Sequence, residues 1–394
     1  MKEKQNIGNI FNAESRASSS ESISPITTTD QIRPVPEFQI IKPLDDESRM
    51  IAQHDEVLKS MEQFTLRLIE KISIDPANQS EPSSFFPDSR QEDEFWFQDI
   101  KNLREETKRL SDPTLVALIG NYITEEGLPM FTTWIDRIHA FKDDTGTDQG
   151  AWPTWNRIWT ADEYGHGKTI GRWLEPNPKI NMIMVDKSIR RYHINGFNPE
   201  IDKDGYKVLG YTSIQEDATG DAHMEVAIRA EKSGAPTLAR GLRAIVKDER
   251  RHHAFYSGNM AEVFRINPEN AVIAIAKLMR KGIVMPAARM DDLGLFSGDK
   301  RQSDIYRDYE LVSQVEGLYT VEGYERNFNK VMREWKVADI SVSGESAKAQ
   351  DYLLNKVPRM IQRYRSSMES RIKEEPTLYF SWIDNRPIKI KKQE

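Results

Sequence analysis

Cysteine is absent from the 394-residue sequence. This absence excludes disulfides, thiolate nucleophiles, cysteine-ligated zinc sites and iron–sulfur clusters. Any bound metal must therefore be held by histidine, aspartate or glutamate side chains.

The sequence also lacks a long apolar run and an excess of positive charge. The most apolar stretch, residues 271–276, ends at Lys277, whereas a membrane-spanning helix needs about 20 apolar residues. The formal net charge is -7 at pH 7, which argues against a general nucleic-acid-binding protein. We therefore expect no membrane span and no nucleic-acid partner.

The first 45 residues contain scattered prolines and Ser/Thr-rich stretches but no secretory hydrophobic segment. Their serines and threonines resemble those of a plastid transit peptide. Their acidic residues, which include Glu3, Glu14, Glu21 and Asp30, argue against it because transit peptides are poor in acids. We predict a disordered N-terminal tail on a cytoplasmic protein, with a plastid protein as the alternative.

What the sequence does contain is a series of helical patterns from about residue 50 onward. Apolar residues recur at helical intervals in segments 50–74, 91–110, 112–141, 152–174, 179–194, 207–233, 235–265, 268–288, 301–312, 319–335 and 344–373. Proline, glycine and acidic residues mark many segment ends, and strand patterns are sparse. We predict an all-α fold, with one helical domain over residues 46–375 and a C-terminal extension over 376–394.

Two of these segments carry the same Asp-Glu-x-x-His motif. Residues 162–166 read DEYGH, and residues 248–252 read DERRH. Residues three apart lie on one face of a helix, so the Glu and His of each motif can bind one metal together. A single motif of this kind is usually a surface pair, but two matching copies favour a metal site.

Helical-bundle di-iron proteins take a Glu from each of two helices and Glu-x-x-His from each of two others. Glu125 precedes the first motif, and Glu216 the second, by similar intervals that suit two helices and a turn. Four carboxylates also offset the charge of two ferrous ions, which keeps a buried site neutral. The predicted metal ligands are Glu125, Glu163, His166, Glu216, Glu249 and His252.

Other residues compete for these roles. Asp136 and His139 have ligand spacing but lie several helical turns beyond Glu125, too far to share its site. Glu126 competes with Glu125, and periodicity alone does not choose between them. His253 competes with the histidine before it, but choosing it breaks the match between the two motifs.

Four residues beside the predicted ligands bear on the site. Asp162 and Asp248 have spacing suitable for ligands, but we prefer them as acceptors that orient the imidazole N–H groups. Thr219 lies one turn after Glu216, as a polar group near bound oxygen or as an ordinary hydrogen-bonded core threonine. Pro129 lies within the predicted helix of Glu125 and removes the N–H that would bond the carbonyl of residue 125, which favours a bend there.

At these residues the sequence resembles the soluble acyl-[acyl-carrier-protein] desaturases. The matching segments are ITEEGLP at 123–129, WTADE with HG at 159–167, YTSIQE with AT at 211–219, DERRH at 248–252, MRK at 279–281, MPA at 285–287, KAQDY at 348–352 and PR at 358–359. The resemblance runs in matching order from about residue 50 to 370. It implies a ferritin-like bundle with a four-helix di-iron core and flanking helices, Glu125 rather than Glu126 as a ligand, and Thr219 beside the oxygen-binding face.

The resemblance also implies a reaction and its partners. Members of the family insert a cis double bond into a fatty acyl chain on acyl carrier protein, using dioxygen and two electrons that usually come from ferredoxin. We expect two Fe²⁺ ions per subunit, O2 as co-substrate, acyl carrier protein and a ferredoxin-type donor as partners, and a homodimer. The alternatives are a di-iron hydroxylase or other oxygenase and, outside enzymes, a ferritin-like iron-binding protein.

The sequence departs from the family pattern at four positions. Tyr164 and Gly165 stand where the family usually has Asn and Arg, Asp217 where Arg is usual, and Ser80 where Trp is frequent. None of these changes removes a predicted ligand. They bear instead on the electron route, the acyl-chain length and the double-bond position.

Acyl carrier protein is acidic, so an acidic enzyme needs a local basic surface to bind it. Two sets of residues are candidates: Arg190 and Arg191 on one predicted helix, and Lys277, Arg280 and Lys281 on another. Each set also fits an ordinary solvated helix face.

Overall fold

The computed structural model describes residues 46–291 and 302–391. Within these ranges the helices are α1 Asp46–Ser60, α2 Glu62–Ile72, α3 Asp93–Thr107, α4 Asp112–Gly127, α5 Pro129–Ile135, α6 Ala151–Leu174, α7 Met182–Asn195, α8 Gly205–Lys232, α9 Pro236–Ile266, α10 Pro268–Lys281, α11 Gln302–Val315, α12 Val321–Glu334, α13 Gly344–Asp351 and α14 Val357–Lys373. The prediction of an all-α fold is confirmed. The predicted disordered tail lies outside the described residues.

Four long helices form the centre of the bundle. α8 and α9 pack along their lengths, α6 packs against both α4 and α9, and α4 also contacts α8. The turn between α8 and α9 is short, so these two helices run antiparallel. Gly234 takes a positive φ of 77° in that turn, a conformation that costs glycine little.

Local sequence explains where these helices begin. The Ser111 side chain accepts a hydrogen bond from the Thr114 N–H, and proline follows at the start of α4. Asp204 caps α8 in the same way by accepting from the Tyr206 N–H. Such caps satisfy backbone donors that have no partner inside the helix.

Three predicted helices are divided in the structure. The segment predicted over 344–373 forms α13 and α14 on either side of a π-helical stretch, Tyr352–Lys356. The segment predicted over 112–141 ends as α4 at Gly127, and Pro129 begins α5. Because proline has no N–H to donate, the regular ladder is interrupted there. The segment predicted over 50–74 forms α1 and α2 on either side of Met61. Here the apolar periodicity continues past the interruption, so the pattern alone did not reveal it.

Helices α4 and α11 make a close contact in the protein interior. Gly120 on α4 faces the Tyr309 ring, and a Cβ at this glycine would lie 2.1 Å from the ring carbon Cε2. The Tyr309 hydroxyl donates to the carbonyl of Ala117 at 3.2 Å and lies 3.1 Å from Asn121 Oδ1. Only glycine leaves room for the ring in this arrangement.

The C-terminal segment packs onto the helical body. Strands β1 Thr377–Leu378 and β2 Ile388–Lys389 pair antiparallel. Phe380 and Trp382 between them are fully buried, and the Trp382 indole donates to Ser188 Oγ on α7 at 2.8 Å. In the described ranges, no helix has both the length and the apolar character needed to cross a membrane.

Candidate metal centre

The four central helices bring the six predicted ligands together in two overlapping groups. One group contains Glu125, Glu163, His166 and Glu249, and the other contains Glu163, Glu216, Glu249 and His252. Within each group the donor atoms lie within 4.8 Å of one another, and every member is buried. Glu163 and Glu249 belong to both groups, which is the arrangement expected of carboxylates shared by two metal ions.

The cluster contains buried oxygens that lack hydrogen bonds. Both carboxylate oxygens of Glu249 and Oε2 of Glu125 have none. Leaving such acceptors unsatisfied is costly in a protein interior. A cation among them would remove that cost, and carboxylate with imidazole is a donor set that suits iron. The residues present therefore fit a pair of metal ions.

The two aspartates of the repeated motif cross between the half-sites. His252 Nε2 lies 3.1 Å from Asp162 Oδ2, and His166 Nε2 lies 3.4 Å from Asp248 Oδ2. Arg251 donates to both aspartates, at 3.0 and 2.6 Å. Each aspartate therefore contacts the histidine of the other motif, and the Nδ1 atom of each ring faces the cluster.

Two further side chains hold the outer glutamates, and the sequence patterns did not single them out. His223 Nε2 lies 2.9 Å from Glu125 Oε1, and the Trp159 indole donates to Glu216 Oε1 at 3.1 Å. His223 follows Glu216 by two helical turns on α8, so helix geometry places both on one face. The spacing of two helical turns between Glu216 and His223 was therefore a feature of the sequence from which His223 could have been identified.

Burial and mutual contact shift the pKa values of the cluster. Burial raises the pKa of Glu163 to about 7 and, helped by the charge of neighbouring glutamates, raises that of Glu249 well above its ordinary value. Burial disfavours charged His166 and His252, but neighbouring carboxylates outweigh it and raise both pKa values well above normal. The cluster without a cation therefore retains protons, which a bound cation would displace.

Glu125 shifts in the opposite direction. Burial acts to raise its pKa, but the neighbouring imidazoles of His166 and His223 prevail and lower it. Asp248 behaves similarly: burial opposes the charge, whereas His166 and Arg251 lower its pKa to about 2. Both side chains are therefore charged acceptors at neutral pH.

A mainly apolar cavity of about 230 Å³ reaches the cluster at Glu125 and Thr219. Thr219 donates to the Gln215 carbonyl at 3.0 Å, and Tyr319 lines the same cavity. Thr219 is thus both a hydrogen-bonded helix residue and part of the cavity wall. Apolar wall residues include Leu128, Ile214, Ala218, Ile283, Met285, Pro286, Ala287, Leu318 and Met368.

The structure also places the competing residues. Glu126, Asp136, His139 and His253 belong to neither metal-binding group. His253 contacts the Ser213 carbonyl at 2.8 Å, away from the cluster. His139 is exposed.

The residues that depart from the family pattern lie in different parts of the structure. Asp217 is buried and forms ion pairs with Arg250 and, at 2.7 Å, with Lys330. Tyr164 is 61% exposed. Gly165 and Ser80 line a pocket of about 210 Å³ that reaches His166 and Asp162.

The basic residues proposed for carrier-protein contact lie on the surface of α7 and α10. Arg190, Arg191, Arg280 and Lys281 are exposed, and Lys277 is half-buried. None of them is part of the cluster.

Comparisons with known proteins agree with this geometry. The family described as fatty acid desaturase matches residues 53–384. A chloroplastic acyl-[acyl-carrier-protein] desaturase from Cucumis sativus is 33% identical over 86% of this chain and 84% of its own length. The Arabidopsis thaliana stearoyl-[acyl-carrier-protein] 9-desaturase 2 is 34% identical over 85% and 81%, and the Ricinus communis stearoyl-[acyl-carrier-protein] 9-desaturase is 32% identical over 86% and 84%. The chain belongs to the fatty acid desaturase family.

Proposed function

We propose that the protein is an acyl-[acyl-carrier-protein] desaturase that holds two iron ions and introduces a cis double bond into the acyl chain. The observation that carries this proposal is the apolar cavity that ends at Glu125 and Thr219 beside the carboxylate–histidine cluster. A cavity with apolar walls suits an acyl chain, and the cluster supplies the donors that an iron pair needs. The relatives are named as desaturases of acyl- or stearoyl-[acyl-carrier-protein], and these names support a substrate bound to the carrier protein.

The reaction removes two hydrogens from adjacent methylene groups. One dioxygen accepts four electrons, two from the acyl chain as its two C–H bonds break and two from an external donor, and it takes up two protons from solvent together with the two removed hydrogens to form two waters. A pair of iron ions, when bound, supplies the oxygen activation. The external electrons require a donor, and we propose a ferredoxin-type protein.

The residues of this chain position the reactants. His223 and Trp159 fix the outer glutamates through the hydrogen bonds described above. The apolar cavity excludes water from the acyl chain, because moving hydrocarbon out of water is favourable. It also directs the acyl chain past the cluster. The Thr219 hydroxyl lines the cavity, and because its O–H donates to the Gln215 carbonyl, its oxygen is left to accept a hydrogen bond from the cavity side.

The decisive experiment uses the iron-loaded full-length protein. It is incubated with acyl carrier protein loaded with acyl chains of several lengths, together with ferredoxin, a reductant and oxygen. Desaturation predicts a product lighter than the substrate by two hydrogens. A product heavier by one oxygen would favour the hydroxylase alternative, and no product with any chain length would count against both enzymatic functions.

Sizing separates an enzyme from an iron-storage protein. We propose a homodimer, which would elute at about twice the 45.5 kDa mass of one chain. A large hollow assembly would instead favour the ferritin-like storage alternative.

We also propose a cytoplasmic location, with the plastid as the alternative. The relatives are named chloroplastic, which supports the alternative. An import assay with isolated chloroplasts, using residues 1–45 fused to a fluorescent protein, distinguishes the two. Uptake with cleavage of the fusion would contradict the cytoplasmic proposal.

A further inference from the structure

The carboxylate–histidine cluster has a second approach besides the apolar cavity. A pocket of about 210 Å³ is lined by residues of α6, of α9 and of the segment 79–85, and it reaches Asp162, His166 and Asp248. Ser80 in its lining is exposed, whereas His166 is buried. Among the described residues, the pocket and the apolar cavity share no lining residue. The pocket therefore leads from the surface to a predicted ligand by a separate path.

Two of the departures from the family pattern lie at this pocket. Gly165 and Ser80 both line it, at the positions where the family usually has Arg and frequently has Trp. A Cβ at Gly165 would have only one neighbour within 4 Å, Pro82 Cγ at 4.0 Å, and Pro82 is itself a lining residue. The small residues at positions 80 and 165 therefore leave room that the larger side chains would take.

The charge of the pocket favours a cation. Three of the described residues that line it are acids, Glu81, Asp162 and Asp248, and none of them is Lys or Arg. Arg251 donates to both aspartates and offsets one of the three charges, so the pocket remains negative. The other cavity is mainly apolar, and moving an ion from water into apolar surroundings is costly. A cation that approaches the cluster is therefore favoured in the pocket over the apolar cavity.

The size of the pocket and its inner end also suit a metal ion. A ferrous ion in water carries about six water molecules, which occupy roughly 180 Å³, so the pocket of about 210 Å³ can hold the hydrated ion. At the inner end, His166 Nε2 lies 3.4 Å from Asp248 Oδ2, and Nδ1 of the same ring lies 3.0 Å from Glu163 Oε2. The His166 ring thus borders both the pocket and the cluster, and a change of its rotamer would connect the two spaces.

We propose that this pocket is the entry route for ferrous iron, and that the His166 ring moves aside to admit the ion. This inference rests on the proposed function, in which the cluster holds two iron ions. The acids of the lining select a cation, and the contact with His166 directs the ion first to the metal-binding group that contains this residue. Dioxygen, which is small and uncharged, is the competing occupant.

The test measures the rate at which the metal-free full-length protein takes up ferrous iron without oxygen. Samples are quenched with a chelator at intervals, and bound iron is measured after gel filtration. S80W and G165R, which restore the residues common in the family, should each slow uptake by about tenfold or more, because they fill a cleft that concentrates the cation. The final iron content should match that of the wild type, because neither residue is a predicted ligand. E81Q should slow uptake at low salt but not at high salt, where charge is screened.

Two control variants separate this route from other causes of slow uptake. S80A removes the hydroxyl without filling the pocket, and A218L narrows the apolar cavity beside Thr219 instead. Both should take up iron at the wild-type rate.

Wild-type uptake by both S80W and G165R, or equal slowing by A218L, would overturn the proposal. Slower oxidation of bound iron with unchanged uptake would also overturn it, because the pocket would then be a path for dioxygen. Uptake is measured without turnover, so a wild-type protein that binds iron but forms no product would contradict the proposed function and leave the entry route supported. A wild-type protein that binds no iron would overturn both.

Discussion

At the residue scale, Glu163 and Glu249 are each common to both metal-binding groups. Replacing Glu163 by Ala should therefore disturb both metal positions together. We expect about two irons per wild-type chain and far less than one in the E163A and H252A variants. Metal analysis after anaerobic iron loading and gel filtration measures this content.

The control for that experiment is H139A. His139 is exposed and has ligand spacing with Asp136 but lies outside both groups, so its loss should leave the iron content unchanged. Zinc alone in the wild-type protein, or full iron occupancy in E163A, would refute the assignment of the ligands.

His223 allows a second prediction at this scale. Removing its hydrogen bond to Glu125 with H223A should weaken iron binding by about 10- to 100-fold, the range found when the partner of a metal ligand is lost. H223Q retains an N–H donor and should keep most of the affinity. Competition with a chelator measures both values, and equal affinity in H223A and wild type would show that His223 does not position Glu125.

Sequence reasoning proposed six ligands and two supporting aspartates, but it did not predict the supporting contacts of His223 and Trp159. The six ligand positions follow from spacing within helices and from a known bundle rule, both of which are local. The crossed pairs between Asp162 and His252, and between Asp248 and His166, depend instead on how α6 and α9 dock. No local pattern encodes that geometry, and for the same reason the hydrogen bond from the Trp159 indole to Glu216 was not predicted.

At the element scale, the contact between Gly120 on α4 and Tyr309 on α11 controls both packing and the cavity. G120A would place a methyl group inside the Tyr309 ring, which is held by its hydroxyl contacts. We expect a loss of about 1–3 kcal/mol in the free energy of unfolding, as for other overpacked sites. Urea titration measures it, and a displaced Tyr309 should also lower turnover of long acyl chains.

The matched control for that change is G165A on α6. A Cβ at Gly165 would meet only Pro82 Cγ, at 4.0 Å, so this variant gains helix propensity without a clash. It should be neutral or up to about 1 kcal/mol more stable. If the two glycine variants were equally stable, the proposed tight contact would be wrong.

Helices were easier to predict than their interruptions. Periodicity located most of the helical segments because an apolar stripe repeats over many residues. It missed the break at Met61, because the apolar pattern continues through it, whereas Pro129 had indicated the interruption at Leu128. The helix predicted over 268–288 likewise ends at Lys281, where Gly282 adopts a φ of 88°.

At the scale of the whole molecule, metal binding should couple to the pH dependence of stability. In the cluster without a cation, Glu163 has a pKa raised to about 7, and the pKa values of Glu249, His166 and His252 are also raised. A folded-state pKa above the unfolded value means that the folded chain binds more protons. Stability from these groups is therefore present at low pH and lost as pH rises through their folded values.

The melting temperature of the metal-free protein should accordingly fall as the pH rises from about 6 to about 8. The carboxylates whose pKa is lowered act in the opposite sense, but they are already ionised throughout this window. The melting temperature of the iron-loaded protein should fall less, because the bound cation has replaced the protons. Calorimetry of both forms tests this, with E163Q/E249Q as a control whose metal-free profile should be flatter; parallel profiles for the two wild-type forms would contradict it.

The crossed contacts between the two motifs have a consequence for how the chain acquires its centre. Asp162 and His166 both lie on α6, yet each of them contacts a residue on α9. Neither repeat is therefore self-sufficient: a fragment ending before α9 would carry four of the six predicted ligands, but its His166 would lack the contact with Asp248. The centre is complete only when α6 and α9 have packed together, so iron bound before that step would meet unaligned donors.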